Sequence, residues 1–320
     1  MQVTDRVGRR MKLHDLNVLM TVVQTGSMLK AAARLNTAQP AISRSIAELE
    51  HTLGVRLLDR HRKGVEPTGY GRALLDCGAT VFDALRQGVK NIELLSDPEA
   101  GEVRIGSGFH LAPSFVSAVV DRLSRRYPRI VFHLVTENQT EQLHRELHER
   151  NVDLLIGRRL SSVSDERLDF ESLFDDSYYV VAGAKHPWAR RRRIEPSELA
   201  NESWVLPPPE NPAGAHAMEA FRGNGLDYPR TTVFAVPPDV RMSLLATGRF
   251  LTIFSNSALR FPRRRQELKV LPVKLPMVRV PVGIITLKNR TLSPVARLFI
   301  EHAREVAKPL ANKGRKRDVG

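Results

Sequence analysis

The sequence predicts an α/β chain with an all-α N-terminal third, one long helix, and two successive sets of alternating strands and helices. Three observations carry this. Apolar residues recur at helical spacing between Leu13 and Leu53. A stripe at steps of three or four runs from Leu74 to Leu95, and after Gly101 short apolar runs alternate with helical ones.

The first helix is read from Leu13, Leu16, Met20 and Val23, and Gly26 stops it. Ser27 is a natural N-cap for the second, whose Ala31, Ala32 and Ala33 let another helix approach closely. Asn36-Thr37 turns the chain, and a third helix begins near Ala38 with Pro40 in its first turn. Its apolar face is Ile42, Ile46, Leu49 and Leu53; its other face shows Gln39, Ser43, Arg44 and Ala47, and Gly54 ends it. A polar face near a helix N-terminus suits the major groove of duplex DNA. Gln39 can pair with adenine, Arg44 can reach guanine or phosphate, Ser43 can donate to either, and small Ala38 permits close approach. Two extended segments then flank the basic turn at His61-Arg62-Lys63-Gly64, a β-hairpin wing. Arg60, Arg62 and Lys63 would sit at phosphates, giving affinity without sequence choice. The competing reading is an amphipathic helical domain with a solvated charged face; the order of capped helix, turn, polar helix and basic hairpin is more specific than that.

Composition sets limits. The chain has 320 residues, enough for two or three domains with true cores. No apolar run approaches the ~20 residues of a membrane-spanning helix. The basic start (Arg6, Arg9, Arg10, Lys12) lacks an export-signal core, so a cytoplasmic chain without a membrane partner is expected. Cys77 is the only cysteine, which excludes an intrachain disulfide. With no Cys/His cluster, neither a metal nor a cofactor is expected. The net charge of +14 favours a polyanionic partner. Its location is less pointed: residues 1–97 hold fourteen Lys and Arg against ten Asp and Glu, and the remaining excess follows them. The case for DNA therefore rests on pattern more than on charge.

The stretch Gly26-Ser27, Ala31-Ala32, Leu35, Gln39-Pro40-Ala41-Ile42-Ser43, Ile46, Leu49-Glu50, Leu53-Gly54-Val55, Leu57, Arg60 and Thr68-Gly69-Tyr70-Gly71 closely resembles the N-terminal signature of LysR-type transcription regulators. Leu58 departs from it, standing where that family usually has Phe. The resemblance implies that Gln39, Pro40, Ser43 and Arg44 lie at the groove and that Ser27, Arg34 and the wing touch backbone. Residues 1–67 are then the winged helix-turn-helix.

Thr68 can cap a long helix over 68–98, whose stripe of Leu74, Cys77, Val81, Leu85, Val89, Ile92 and Leu95 needs a partner. It could pack on its own chain; the resemblance implies pairing with a second subunit and a tetramer built as a dimer of dimers, with RNA polymerase as a further partner. From Gly101 a mostly parallel sheet with helices on both faces is expected. The pieces Asn151–Gly157, His186-Pro187-Trp188-Ala189 and Ser293-Pro294 resemble the periplasmic-binding-protein-like (type 2) sensor of the same family. That implies two lobes, one from 101–165 and 267–308 and the other from 166–266, joined near 160–170 and 262–272, with a basic disordered tail over 309–320.

In such sheets ligands bind beyond the carboxyl ends of strands, at helix N-termini. Ser107 and His110 follow the first strand, Asn138, Gln139 and Thr140 the second, and Arg158 the third; Pro208 stands in the other lobe. These suit a small anionic effector. His110 as an ordinary loop histidine and Arg158 as a surface ion-pair partner are the plainer options. A bulky Phe250, where the family commonly has Gly, could reshape the cleft. An enzyme is disfavoured: Gly106-Ser107-Gly108 is half a dinucleotide fingerprint, and no Walker A, GxSxG or HExxH sequence occurs. A nonspecific architectural DNA binder, or a ligand-binding protein without a regulatory role, remains the alternative to a sequence-specific regulator.

Overall fold

The computed structural model describes residues 11–61, 64–97, 100–137, 139–159, 165–229, 231–260, 268–273 and 279–316. The chain divides into two compact units, residues 1–89 and 90–320.

In the first unit α1 (Leu13–Thr25), α2 (Met28–Arg34) and α3 (Gln39–Leu53) precede a hairpin of β1 (Leu58–His61) and β2 (Gly64–Pro67). Gly26 and Gly54 close α1 and α3 in the left-handed region, at φ 65° and 72°, where a Cβ is disfavoured. The Ser27 Oγ accepts from the Lys30 N–H and caps α2. Val18, Leu19 and Val22 of α1, Ala31 and Ala32 of α2, and Ile42, Ile46 and Leu49 of α3 form one core. The expected α1 stripe is rotated. Leu13 is exposed and Leu16, Val18, Leu19 and Val22 are buried, because α1 packs on both α2 and α3 and needs a face wider than one stripe. Glu50 anchors the wing, its Oε1 accepting from the Leu57 N–H at 2.7 Å.

The long α4 (Gly69–Ser96) follows, its first turn capped by Thr68 Oγ1, which accepts from the Gly71 N–H at 3.0 Å. A Cβ on Gly71 would meet the Leu57 carbonyl oxygen at 2.1 Å, so glycine is required for this approach. Leu74 packs against the N-terminal core; Cys77, Leu85, Val89, Ile92 and Leu95 are exposed. The free part of the stripe thus begins beyond Leu74, which its own chain has taken up.

The second unit holds two five-stranded sheets. The first is built from β3 (Ala100–Gly108), β4 (Arg129–Glu137), β5 (Leu154–Arg158), β6 (Leu168–Asp176) and β12 (Val280–Leu287), in the order β4-β3-β5-β12-β6. The second is built from β7 (Tyr178–Gly183), β8 (Trp204–Leu206), β9 (Thr231–Phe234), β10 (Leu251–Ser255) and β11 (Leu268–Val270), in the order β11-β7-β10-β8-β9. Both are mixed. The β3–β4, β3–β5, β8–β9 and β8–β10 pairs are parallel, and β12, β7 and β11 pair antiparallel. Helices α5 (Ser117–Arg126) and α9 (Pro294–Lys316) cover one face of the first sheet through Leu123, Phe299 and Ala303. Helix α6 (Thr140–His148) covers the other through Leu143 and Leu147. In the second sheet α7 (Pro212–Arg222) contributes Phe221, edge-on to Trp204 at 5.3 Å, and α8 (Pro238–Ala246) contributes Leu245 on the opposite face.

The lobe boundaries differ from those expected. Residues 168–176, expected in the second lobe, belong to the first: β6 pairs along its length with β12, from Leu168 against Leu287 to Asp176 against Val280. The chain crosses at Ser177, whose carbonyl accepts from the Asn256 N–H at 2.7 Å, and β11 belongs to the second sheet. Strand β6 escapes recognition because it is an edge strand carrying four acids, so its Leu168 and Phe170 alternate within a polar run. The expected disordered tail is also corrected. Helix α9 runs past Pro309 to Lys316, with Ala307 and Leu310 buried on either side of the proline; residues 317–320 lie outside the described set.

Candidate DNA interface and effector cleft

Helix α3 separates its two chemistries cleanly. Ile42, Ile46 and Leu49 are buried, while Ala38, Gln39, Pro40 and Arg44 are exposed and Ser43 is half-buried. Ala38 is extended at the N-cap and makes no side-chain cap bond. Pro40 carries no N–H and the Ala41 N–H bonds the Ala38 carbonyl at 2.9 Å, so the α3 N-terminus presents the side chains of Gln39 and Ser43. Of the residues expected at the DNA backbone, Arg34 and Arg60 are exposed and Ser27 is half-buried, its hydroxyl engaged as the α2 cap. Arg62 and Lys63 lie outside the described residues.

In the second unit a cavity of about 90 Å³ opens where β3 and β5 end and α6 begins. It is lined by Phe109, His110, Glu137, Thr140, His144 and Arg158, with Asn211 from the other lobe. Of the residues expected at an effector, the fold brings His110, Thr140 and Arg158 together here. The Ser107 side chain does not belong with them. It is buried, its Oγ donating to the Ile156 carbonyl at 3.0 Å across the parallel β3–β5 pair. Gln139 points to solvent, and Pro208 lies off the lining, its carbonyl accepting from the Asn211 N–H. Asn138 lies outside the described residues. Phe250 packs with Val181, Val205 and Leu245 rather than in this cavity. A larger apolar groove of about 640 Å³ along Phe109, Leu134, Pro238 and Met242 has few polar groups to orient a ligand.

Behind the cavity lies a buried polar cluster. Arg158 Nη2 donates to Asp176 Oδ2 at 3.2 Å, and its guanidinium lies 5.2 Å from the Tyr178 ring centroid. Asp176, at 1% exposure, also accepts from the Ser257 N–H at 3.0 Å and from the Ser257 hydroxyl. Arg241 of α8 is buried as well. Burial, reinforced by the Arg158 and Arg241 charges, pushes His110 down to about 3, so its imidazole is neutral near pH 7. Burial also pushes Arg241 down to about 10, a shift Tyr178 opposes and Arg158 assists; it stays protonated. Burial, opposed by the two arginines, raises Tyr178 and keeps its hydroxyl protonated.

The sequence alone does not mark Asp176 and Arg241 as site residues. Asp176 ends the overlooked strand β6. Arg241 stands among Val240, Met242, Leu244 and Leu245, and a lone arginine in an apolar helical run was the available signal.

Comparison with known proteins now decides the family. Residues 13–72 match the bacterial regulatory helix-turn-helix protein, lysR family, and residues 96–308 match the LysR substrate binding domain. The chain belongs to the LysR family. It is a LysR-type transcription regulator, with a DNA-binding helix-turn-helix and an effector-binding domain. The HTH-type transcriptional regulator GbpR of Azospirillum brasilense is 27% identical over 289 residues, 90% of this chain and 84% of that protein. A full-length OxyR variant from Pseudomonas aeruginosa shares the fold at TM-score 0.64 and 22% identity, covering 94% of this chain and 96% of that one. Full-length CbnR, solved with its target DNA, does so at TM-score 0.53 and 20% identity, covering 93% and 100%. The relatives are regulators, in keeping with a non-catalytic role for this one. Among the described residues no helix is long and apolar enough to cross a membrane, and no three His, Cys, Asp or Glu gather as a metal site.

Proposed function

We propose that this LysR-type regulator reads a palindromic duplex site as a homodimer and that a small anionic metabolite in its effector domain controls it. The observation that carries the DNA reading is the face of α3 with exposed Gln39 and Arg44 and half-buried Ser43, set on a helix whose opposite side is locked in the core. Such a helix enters the major groove N-terminus first, with Gln39 and Arg44 reaching base edges. The determination of CbnR with its target DNA supports this use of the same fold. Arg34, Arg60, Arg62 and Lys63 would contact phosphates, with Ser27 near them. The exposed Leu85, Val89 and Ile92 of α4 form the seam for the second copy, and two such dimers make a tetramer.

The effector reading is supported by the His110, Thr140 and Arg158 lining. The α6 N-terminus offers oriented amides beside it, and a neutral imidazole can donate one hydrogen bond and accept another. Closure of the lobes about Ser177 on the anion would reposition the paired helix-turn-helix units and alter DNA bending.

The test is binding of the full chain, across a salt series, to its selected palindromic site and to random DNA. The proposal expects a steep salt slope on both and a preference of about a thousandfold or more for the site. Equal affinities would favour an architectural binder. Calorimetric titration with small carboxylates, phosphates and neutral analogues tests the effector; ligands found only among the neutral or cationic compounds would defeat that part.

A further inference from the structure

The positive charge of this chain lies mostly outside the unit that carries α3. Residues 1–97 hold fourteen Lys and Arg against ten Asp and Glu, in a chain whose net charge is +14. Phosphate neutralisation supplies nearly all of nonspecific DNA affinity and much of specific affinity, so the whereabouts of the remaining cations matters. Their longest unbroken run is Arg190-Arg191-Arg192-Arg193 in the second lobe, and all four are exposed.

The run is anchored at both ends. Before it, His186 is buried, and its Nδ1 accepts from the Trp188 N–H at 3.3 Å to open the short 3-10 turn Pro187–Arg190. Trp188 Nε1 donates to Glu202 Oε1 at 2.7 Å, and the Arg191 guanidinium lies 5.6 Å from the Trp188 ring centroid. After it, Ile194 is buried and forms a parallel bridge with Val273. The four arginines therefore stand on a fixed ridge. Adjacent like charges held in place repel one another, a cost that a polyanion removes.

The acids beside the ridge are already engaged. Arg193 Nε donates to Glu195 Oε1 at 3.0 Å, Glu198 Oε2 accepts from the Glu195 N–H at 2.8 Å, and Glu202 holds Trp188. Among the described residues the side chains of Arg190, Arg191 and Arg192 make no hydrogen bond or ion pair. Three planar forks of donors are thus left facing water, and a guanidinium matches phosphate oxygens two at a time.

We propose that Arg190, Arg191 and Arg192 are a second DNA contact, gripping phosphates of the duplex that flanks the site read by α3. This rests on the DNA reading above and goes beyond it, because the contact belongs to the effector domain. It adds affinity that is the same for any flanking sequence.

The test compares the full chain with the ridge variant Arg190→Gln, Arg191→Gln, Arg192→Gln. A control removes three exposed cations elsewhere, Arg145→Gln, Arg222→Gln and Lys308→Gln. Arg193 is kept because it pairs with Glu195. Each protein is titrated across a salt series with its selected site, both as a short duplex ending at the half-sites and as one extended by roughly three helical turns on each side. On the long duplex the ridge variant should lose about tenfold or more in affinity, with a log–log salt slope shallower by about three for each engaged ridge. On the short duplex it should match the wild type, the control should match on both, and base preference should not change. A charge-keeping variant, Arg190→Lys, Arg191→Lys, Arg192→Lys, should retain most of the wild-type slope, which separates lost charge from a disturbed fold. Wild-type behaviour of the ridge variant on the long duplex overturns the second contact and leaves reading by α3 standing. An equal loss in the control would reduce it to bulk charge and overturn it too. Intact DNA binding with lost cosedimentation on phosphatidylglycerol vesicles would assign the ridge to a membrane surface instead. No DNA bound by the wild type would remove the DNA reading itself.

Discussion

The reading helix and the effector cleft place polar chemistry in opposite ways. On α3, Gln39 and Arg44 stand in solvent on a helix held by Ile42, Ile46 and Leu49. Their polar groups are hydrated before DNA arrives, so the fold bears little cost for them. In the cleft, Arg158, Asp176, Tyr178 and Arg241 are drawn from four elements of two lobes; Asp176, Tyr178 and Arg241 are buried and Arg158 is half-buried at the cavity. There each charge depends on its neighbours, and function is tied to stability. Surface function can change without unfolding the domain; buried function cannot.

The largest expected effect breaks that cluster. Asp176→Ala removes the partner of Arg158 and two acceptors of Ser257. It should destabilise the effector domain by about 3–5 kcal/mol, seen in urea unfolding, while the helix-turn-helix still binds DNA. If DNA binding were lost as well, the contrast between the two units would fail. Next comes the α4 seam. The Leu85→Ala, Ile92→Ala double variant should weaken dimerisation by about 2–3 kcal/mol, read as dissociation in dilution light scattering, with the monomer fold unchanged by circular dichroism. An unaltered dimer would place the seam elsewhere.

A smaller effect sharpens the comparison through pH. His110 is pushed down to about 3 when folded, against an ordinary 6.5. Below pH 6.5 the unfolded chain takes up a proton that the folded one refuses. Stability from this group is therefore full above 6.5 and falls toward pH 3, by at most about 1.4 kcal/mol per pH unit. His110→Gln should flatten that part of the acid-unfolding curve. Gln39 carries no titratable group, so Gln39→Ala should leave the curve unmoved.

The same contrast governs what the sequence discloses. The α3 face is legible because one helix holds both its apolar and polar sides, and a period of 3.6 sorts Ile42 and Ile46 from Gln39 and Arg44. The caps at Gly26, Ser27 and Gly54 are local and equally readable. His110, Thr140 and Arg158 were reachable because strand ends and helix starts mark the mouth of such a sheet. Asp176 and Arg241 were not, since their meaning arises only when β6 and α8, sixty-odd residues apart, meet. Its acids hide strand β6 in the sequence, and Pro309 reads as a helix end although Leu310 is buried beyond it.

Base preference is the most direct readout of DNA recognition by α3. Duplexes selected from a random pool by the full chain should be symmetric, and Gln39→Ala should erase preference at one base pair in each half-site, by about 1–3 kcal/mol, while leaving the salt slope intact. A variant that selects the same sequence as the wild type with the same discrimination would show that another element reads the DNA.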